Sequence, residues 1–224
     1  MITDIQLTYT EEGESLRDAV YHTLKRSIMT GVLVTDDRLM EIPIANQLGV
    51  SRTPVREAIQ RLEKEQLVVV SPRCGAKVAG ITDKEVKDAL DVRIGVERMS
   101  VGMAAENITK EQIAGLRELN SKIRYAIIDE DVLRISDLDN LLHRRICESS
   151  GNNVLMDIMR QLEDHVLRYR FEYIKSIKGN FAIYEEHERI ISAIERKDVQ
   201  AAGEHMMEHI RCQKEQICKL FTKK

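Results

Sequence analysis

Two arginines four residues apart, Arg52 and Arg56, stand in the stretch GVSRTPVREAIQRL with Ser51 and Thr53 beside them. Guanidinium forks, small hydroxyls and backbone N–H groups gathered at one end of a helix suit a phosphate-lined groove and the base edges inside it. The local pattern supports that helix. Gly49 supplies a turn, Ser51 an N-cap, and Val55, Ile59 and Leu62 fall three and four apart on one apolar face. Upstream, IPIANQLG (Ile42 to Gly49) reads as a shorter amphipathic helix that stops at a glycine. Two short helices joined by a tight turn, the second basic at its entrance, make a helix-turn-helix. Taken singly, the two arginines fit ordinary solvated helix charges equally well. The combination of turn, cap and basic entrance carries the DNA-binding reading.

A second constellation lies in the C-terminal part. Asp139 and His143 are four apart in DLDNLLH, so they share a helix face. His187 lies beside Ile190, Ile191 and Ile194, and His209 beside Met206 and Ile210, which marks both as inward-facing. One carboxylate and three imidazoles from three helices suit a borderline divalent ion such as zinc, nickel or manganese. Spacing alone leaves the ordinary alternative open, because most helical histidines are surface residues or satisfied core residues. His165 and His205 are read that way, although His205 lies one turn before His209 and competes for its role. Arg93 and Glu97 form a third group. Their spacing favours a helix-surface ion pair. The alternative is an inward Arg93 that clamps a carboxylate bidentately.

The rest of the chain must position these residues. With 224 residues, 43% hydrophobic and 32% charged, three prolines and no tryptophan, it reads as a mostly helical chain long enough for two domains. No apolar run reaches the roughly 20 residues of a membrane span. The start MITDIQLTYTEEGES lacks a secretory apolar region, so a cytoplasmic protein with no membrane partner is expected. Cys74, Cys147, Cys212 and Cys218 show no CxxC spacing and read as free thiols. The net charge of −3 is uneven: residues 15–80 hold ten Lys/Arg against seven Asp/Glu, so the basic surplus sits with the helix-turn-helix.

After an acidic lead-in, Leu16, Val20, Leu24 and Ile28 recur every fourth residue and Gly31 closes a first helix. A turn at Asp36–Asp37 and a short strand near Arg38 to Met40 follow. LVVVSP and AKVAGI around SPRCG read as a β-hairpin, which makes the motif a winged helix with Arg73 at the wing tip. A boundary near Gly80 divides residues 1–80 from 81–224. From Thr82, with Glu85 completing a capping box, six antiparallel helices are predicted near 82–107, 109–128, 131–149, 152–176, 181–196 and 198–221. The expected fold is thus mainly α, a winged helix-turn-helix followed by an all-helical bundle.

GVSRTPVREAIQRLEKEQLV resembles the signature of the GntR family of bacterial transcription regulators. The branch it resembles has an all-helical C-terminal ligand-binding domain, the FCD domain of the FadR subfamily. DLDNLLHRRICESSGNNVL, EEHERIISAIERKD and AAGEHMMEHI look like family blocks in the right order. The resemblance implies a homodimer that binds a short palindromic DNA operator, with contacts from Ser51, Arg52, Thr53 and Arg56 and with Gly75 at the wing. It implies Asp139, His143, His187 and His209 as metal ligands, and Arg93 as the residue that reaches a small carboxylate effector. Acyl-CoA-binding members lack this metal set, which argues against a fatty-acid regulator. Three departures stand out: Ile42 replaces a DNA-touching arginine, Thr35-Asp36 replaces Pro-Gly, and the wing is SPRCG. They imply an operator read with fewer direct contacts. The expected function is a ligand-responsive DNA-binding repressor or activator without catalytic residues. The alternatives are a metalloenzyme with an accessory DNA-binding domain, against which the chain has no HExxH, and a metal that only ties helices together.

Overall fold

A computed structural model describes residues 5–7, 14–71, 75–80, 82–177 and 179–221. The chain divides into two compact units, Met1–Ile81 and Thr82–Lys224.

The first unit contains α1 (Leu16–Met29), β1 (Arg38–Leu39), α2 (Glu41–Leu48), α3 (Arg52–Lys64), β2 (Val68–Ser71) and β3 (Gly75–Val78). Ser15 caps α1 by accepting from the Asp18 N–H. The buried face of α1 runs through Ala19, Val20, Leu24 and Ile28, whereas Leu16, placed on that stripe by its spacing, is 41% exposed. It lies in the first turn, so the covered part of the apolar stripe starts one turn later than its period implies. Val55, Ala58, Ile59 and Leu62 of α3 supply the opposing surface, each of the larger side chains contributing about 1.5–3 kcal/mol on burial. Gly49 ends α2 in the left-handed region at φ 65°, which only glycine adopts without strain, and so sets the turn into α3. Ser51 has the extended backbone of an N-cap, but its side chain makes no capping hydrogen bond. The three strands form one antiparallel sheet in the order β1-β3-β2, with Leu39 opposite Ala76 and Val68 opposite Val78. Helix, helix, helix and hairpin is the winged form that the sequence predicts.

Among the described residues of the second unit all regular structure is helical: α4 (Asp83–Asn107), α5 (Lys110–Ile128), α6 (Val132–Ser149), α7 (Asn153–Ser176), α8 (Ala182–Glu195) and α9 (Val199–Phe221). The starts of α4 to α7 have a local cause. Thr82–Glu85 and Thr109–Gln112 form capping boxes, and Asp131 and Asn152 accept from N–H groups of the first turns of α6 and α7. α4 lies along α9, α6 packs on α4, α5 and α7, and α8 packs on α5 and α9. Leu90, Leu116, Ile123, Leu142, Ile146, Ile190, Ile194, Met206 and Ile210 fill the space between them. Among the described residues no disulfide joins Cys147, Cys212 and Cys218. Cys74 and Arg73 lie outside the described residues.

Candidate metal centre and DNA-facing helix

The inward stripes of three helices carry polar groups where aliphatic ones would ordinarily stand. On α6, Asp139 and His143 share the face of Leu142 and Ile146; on α8, His187 lies among Ile183, Ile190 and Ile191; on α9, His209 lies beside Met206 and Ile210. All four side chains are buried, and one ligand-type atom from each lies within 4.8 Å of the others. His143 Nε2 is 3.2 Å from His209 Nε2, and His187 Nε2 is 3.2 Å from Asp139 Oδ1. His205 is only partly buried and stands outside this group.

A layer of charged groups flanks three of the four. His143 Nδ1 is 2.9 Å from Glu97 Oε1, and His209 Nδ1 is 2.6 Å from Glu186 Oε2. A carboxylate beside Nδ1 favours the tautomer protonated there, which turns the Nε2 lone pair toward the cluster. Asp139 Oδ2 is 3.0 Å from Arg170 Nε, although neither atom is aligned for a hydrogen bond, so the attraction is Coulombic. Arg170 is itself held by Asn140 Oδ1, which accepts from its Nη1 at 2.6 Å.

These surroundings set the charge states. Burial pushes the Asp139 carboxyl up, but Arg170 and the neighbouring imidazoles outweigh it and hold the group well below the usual carboxylate range. Burial likewise raises Glu97, but His143 and Arg93 bring it down to about 2. Burial lowers His143, and it lowers His209 to about 4. An ionised carboxylate and neutral imidazoles are the forms that ligate a cation. Two of the four also lack hydrogen-bond alternatives. Both Asp139 oxygens and both His187 nitrogens are buried with no hydrogen-bond partner among the described residues. Unsatisfied polar atoms in a core are strongly disfavoured, and a divalent ion at their centre would satisfy them together. The donor set fits such an ion.

Arg93 corrects an expectation. The spacing favours a surface ion pair with Glu97, yet Arg93 is 2% exposed and Glu97 0%. A four-residue spacing is the same on every face of a helix, and α9 covers this one. Arg93 Nε donates to Glu97 Oε1 at 3.1 Å and Nη1 donates to Gln213 Oε1 at 2.9 Å, while Nη2 is buried with no hydrogen-bond partner among the described residues. Because Gln213 accepts from Arg93 through its oxygen, its amide nitrogen faces His209 Nε2, 2.9 Å away. Burial, with Arg170 nearby, lowers Arg93 to about 10, so it stays charged at neutral pH. Gln213 and Arg170 escape sequence reasoning; the only hint at Gln213 is that it lies one turn beyond His209. Glu188, which also flanks His187, faces the other way and accepts from Arg117 and Asn120.

In the first unit, Ser51, Arg52, Thr53 and Arg56 come together, all exposed, at the start of α3. Arg52, Arg56 and Gly75 line one open cleft of about 650 Å³ with Arg38, Met40, Glu41 and Ile42. Gly75 has φ 77°, which suits the turn from the wing tip into β3. Arg73, expected at that tip, lies outside the described residues. Glu41, in the first turn of α2, holds both arginines. Its Oε1 accepts from Arg56 Nε at 2.8 Å, and its Oε2 accepts from Arg56 Nη2 at 2.9 Å and from Arg52 Nη2 at 3.0 Å. Those bonds, Arg56 first, bring the Glu41 carboxyl down to about 2.

Comparison with known proteins agrees with both halves. The family described as "Bacterial regulatory proteins, gntR family" matches residues 16–78, and the FCD domain matches residues 88–211. The chain is 30% identical over 187 residues to the HTH-type transcriptional regulator McbR of Escherichia coli (strain K12), covering 82% of this chain and 84% of that one. It is 28% identical over 196 residues to the HTH-type transcriptional regulator YdhC of Bacillus subtilis (strain 168), covering 84% and 85%. The solved structure of E. coli McbR/YncC superposes with a TM-score of 0.80 at 25% identity, over 93% of this chain and 99% of that one.

Proposed function

This chain belongs to the GntR family of bacterial transcription regulators and carries an FCD domain, and from that premise we propose that it is a metal-assisted sensor of a small carboxylate. Two copies bind a short palindromic DNA operator. Arg52 and Arg56 meet base edges and phosphates at the entrance of α3, Ser51 and Thr53 contact the backbone, and the wing, Arg73 and Gly75, follows the neighbouring groove.

In the bundle, Asp139, His143, His187 and His209 hold a divalent ion, zinc first, with nickel or manganese as alternatives. The ion supplies a Lewis-acidic point with coordination positions left for a ligand oxygen. Arg93 offers the buried Nη2 donor to the same carboxylate, and Gln213 and Glu97 fix its guanidinium plane. The observation that carries this reading is the convergence of four buried ligand-type side chains with an arginine donor that has no hydrogen-bond partner among the described residues. The effector alters operator affinity only to the extent that it prefers one arrangement of the dimer. The relatives are named as transcriptional regulators, which speaks against a metalloenzyme.

The test is a thermal-shift series on metal-loaded protein with a panel of small carboxylic acids, Arg93→Ala and His143→Ala serving as controls. A ligand of the folded state raises the melting temperature as its concentration exceeds its dissociation constant. One acid should stabilise the wild type, lose its effect in both variants, and change operator affinity. If every acid that binds the bundle leaves operator affinity unchanged, the sensing role is wrong.

A further inference from the structure

Arg52 and Arg56 do not stand alone: one carboxylate, Glu41, is bound to both. The three side chains are partly to well exposed, with 57% of Arg52, 54% of Arg56 and 27% of Glu41 accessible. Exposed ion pairs contribute little to stability, so the arrangement is not explained by what it adds to the fold. Its effects on recognition are larger. A free arginine samples many rotamers and must be ordered on binding, whereas here the carboxylate has already fixed two guanidinium planes relative to α3. Arg56 is gripped along its Nε–Nη2 edge, and among the described residues no hydrogen bond engages Nη1. That leaves end-on donors directed away from Glu41, in a cleft that Ile42 and Met40 line with exposed apolar groups. The carboxylate also changes the field. It stays ionised throughout the working pH range, so the two arginines and Glu41 present a net charge of about +1 rather than +2 to an approaching phosphate.

We propose that Glu41 is a specificity-determining residue of the DNA-reading surface. Its carboxylate braces Arg52 and Arg56 for base edges and, by repelling backbone phosphate, suppresses their indiscriminate use on any duplex. A carboxylate that braces two arginines lowers affinity for DNA in general and leaves affinity for the matching sequence intact, because the bracing offsets the repulsion only where the base edges fit. This rests on the reading that α3 enters the major groove.

The experiment uses the full chain. An operator is first obtained by selection from a random duplex pool with wild-type protein. Affinities for that duplex and for an unrelated one are then measured across a salt series for wild type, Glu41→Gln, Glu41→Asp, Arg52→Ala and Arg56→Ala. Removing the Glu41 charge should tighten binding to the unrelated duplex severalfold and steepen its log–log salt slope by about one. Binding to the selected duplex should not tighten, so discrimination should fall by at least the same severalfold factor. Glu41→Asp, whose shorter arm cannot reach both arginines, should fall in between and guards against a folding artefact in Glu41→Gln. Equal tightening on both duplexes makes Glu41 a mere competing anion and overturns the proposal, as does no change on either. If Arg52→Ala and Arg56→Ala bind both duplexes like wild type, the α3 reading itself fails. If those two variants lose the operator while Glu41→Gln behaves like wild type, only the role of Glu41 fails.

Discussion

His143 Nε2 and His209 Nε2 face each other at 3.2 Å inside the bundle, and each ring has its Nδ1 beside a carboxylate. If both rings are protonated at Nδ1, two lone pairs are opposed across that gap; the Gln213 amide meets the one on His209, and a cation between the rings would satisfy both.

Metal should therefore be a major source of stability in the second unit. Ion at about a thousand times its dissociation constant adds about 4 kcal/mol, equivalent to roughly 10 °C in a chain of this size. Differential scanning calorimetry before and after chelation measures it. The difference should vanish in His143→Ala, and a chelator that leaves the wild-type transition in place would show that no ion supports this fold.

The metal-free protein should weaken toward acid in a defined window. Burial lowers His209 in the folded state to about 4, below its ordinary 6.5, and lowers His143 as well. The unfolded chain then takes up protons first, so stability is complete above about 6.5 and is lost as pH falls toward 4. Melting temperatures of chelated protein between those limits should decline, with a shallower slope in His209→Gln. A flat or rising profile contradicts the burial of a neutral imidazole.

Glu97 neutralises Arg93 and sits against His143, so its loss should be felt twice. Glu97→Ala leaves a buried guanidinium without its counter-charge and should cost about 3–5 kcal/mol of stability. It also releases the His143 ring, which should weaken metal binding by roughly 10–100-fold. Urea denaturation and competitive chelator titration separate the two effects. A loss of under about 1 kcal/mol would mean that the pair is far better solvated than its burial implies.

Gln213 should act in the opposite direction on the metal. Its amide nitrogen occupies the His209 Nε2 lone pair at 2.9 Å, which is the electron pair an ion needs. Gln213→Leu removes a hydrogen bond worth about 1 kcal/mol, so the ion should bind roughly fivefold more tightly. Isothermal titration calorimetry reads this directly. Weaker binding in Gln213→Leu would instead place the amide on the side of the metal-bound form.

The helices themselves were legible residue by residue. Thr82, Thr109, Asp131 and Asn152 signal the starts of α4 to α7 through local hydrogen bonds, and Gly49 signals the turn of the helix-turn-helix through its own φ. Asp139 and His143 also had to share a face, because that depends only on helical period. Which face they share, and what meets it, is another matter. Arg93–Glu97 looks the same at the surface as in the core until α9 is laid across it. Glu41 lies 11 and 15 residues from the arginines it holds, and Gln213 lies 120 residues from Arg93. Short-range order comes from capping, turns and periodicity, which act within about one helical turn and so are written in neighbouring residues. The layer of Glu97, Arg170, Glu186 and Gln213 around the histidines, and the clasp of Glu41 on Arg52 and Arg56, were decided only by packing. Packing brings charges from distant helices to within 3 Å of one another, where desolvation and Coulomb forces alone determine which are kept.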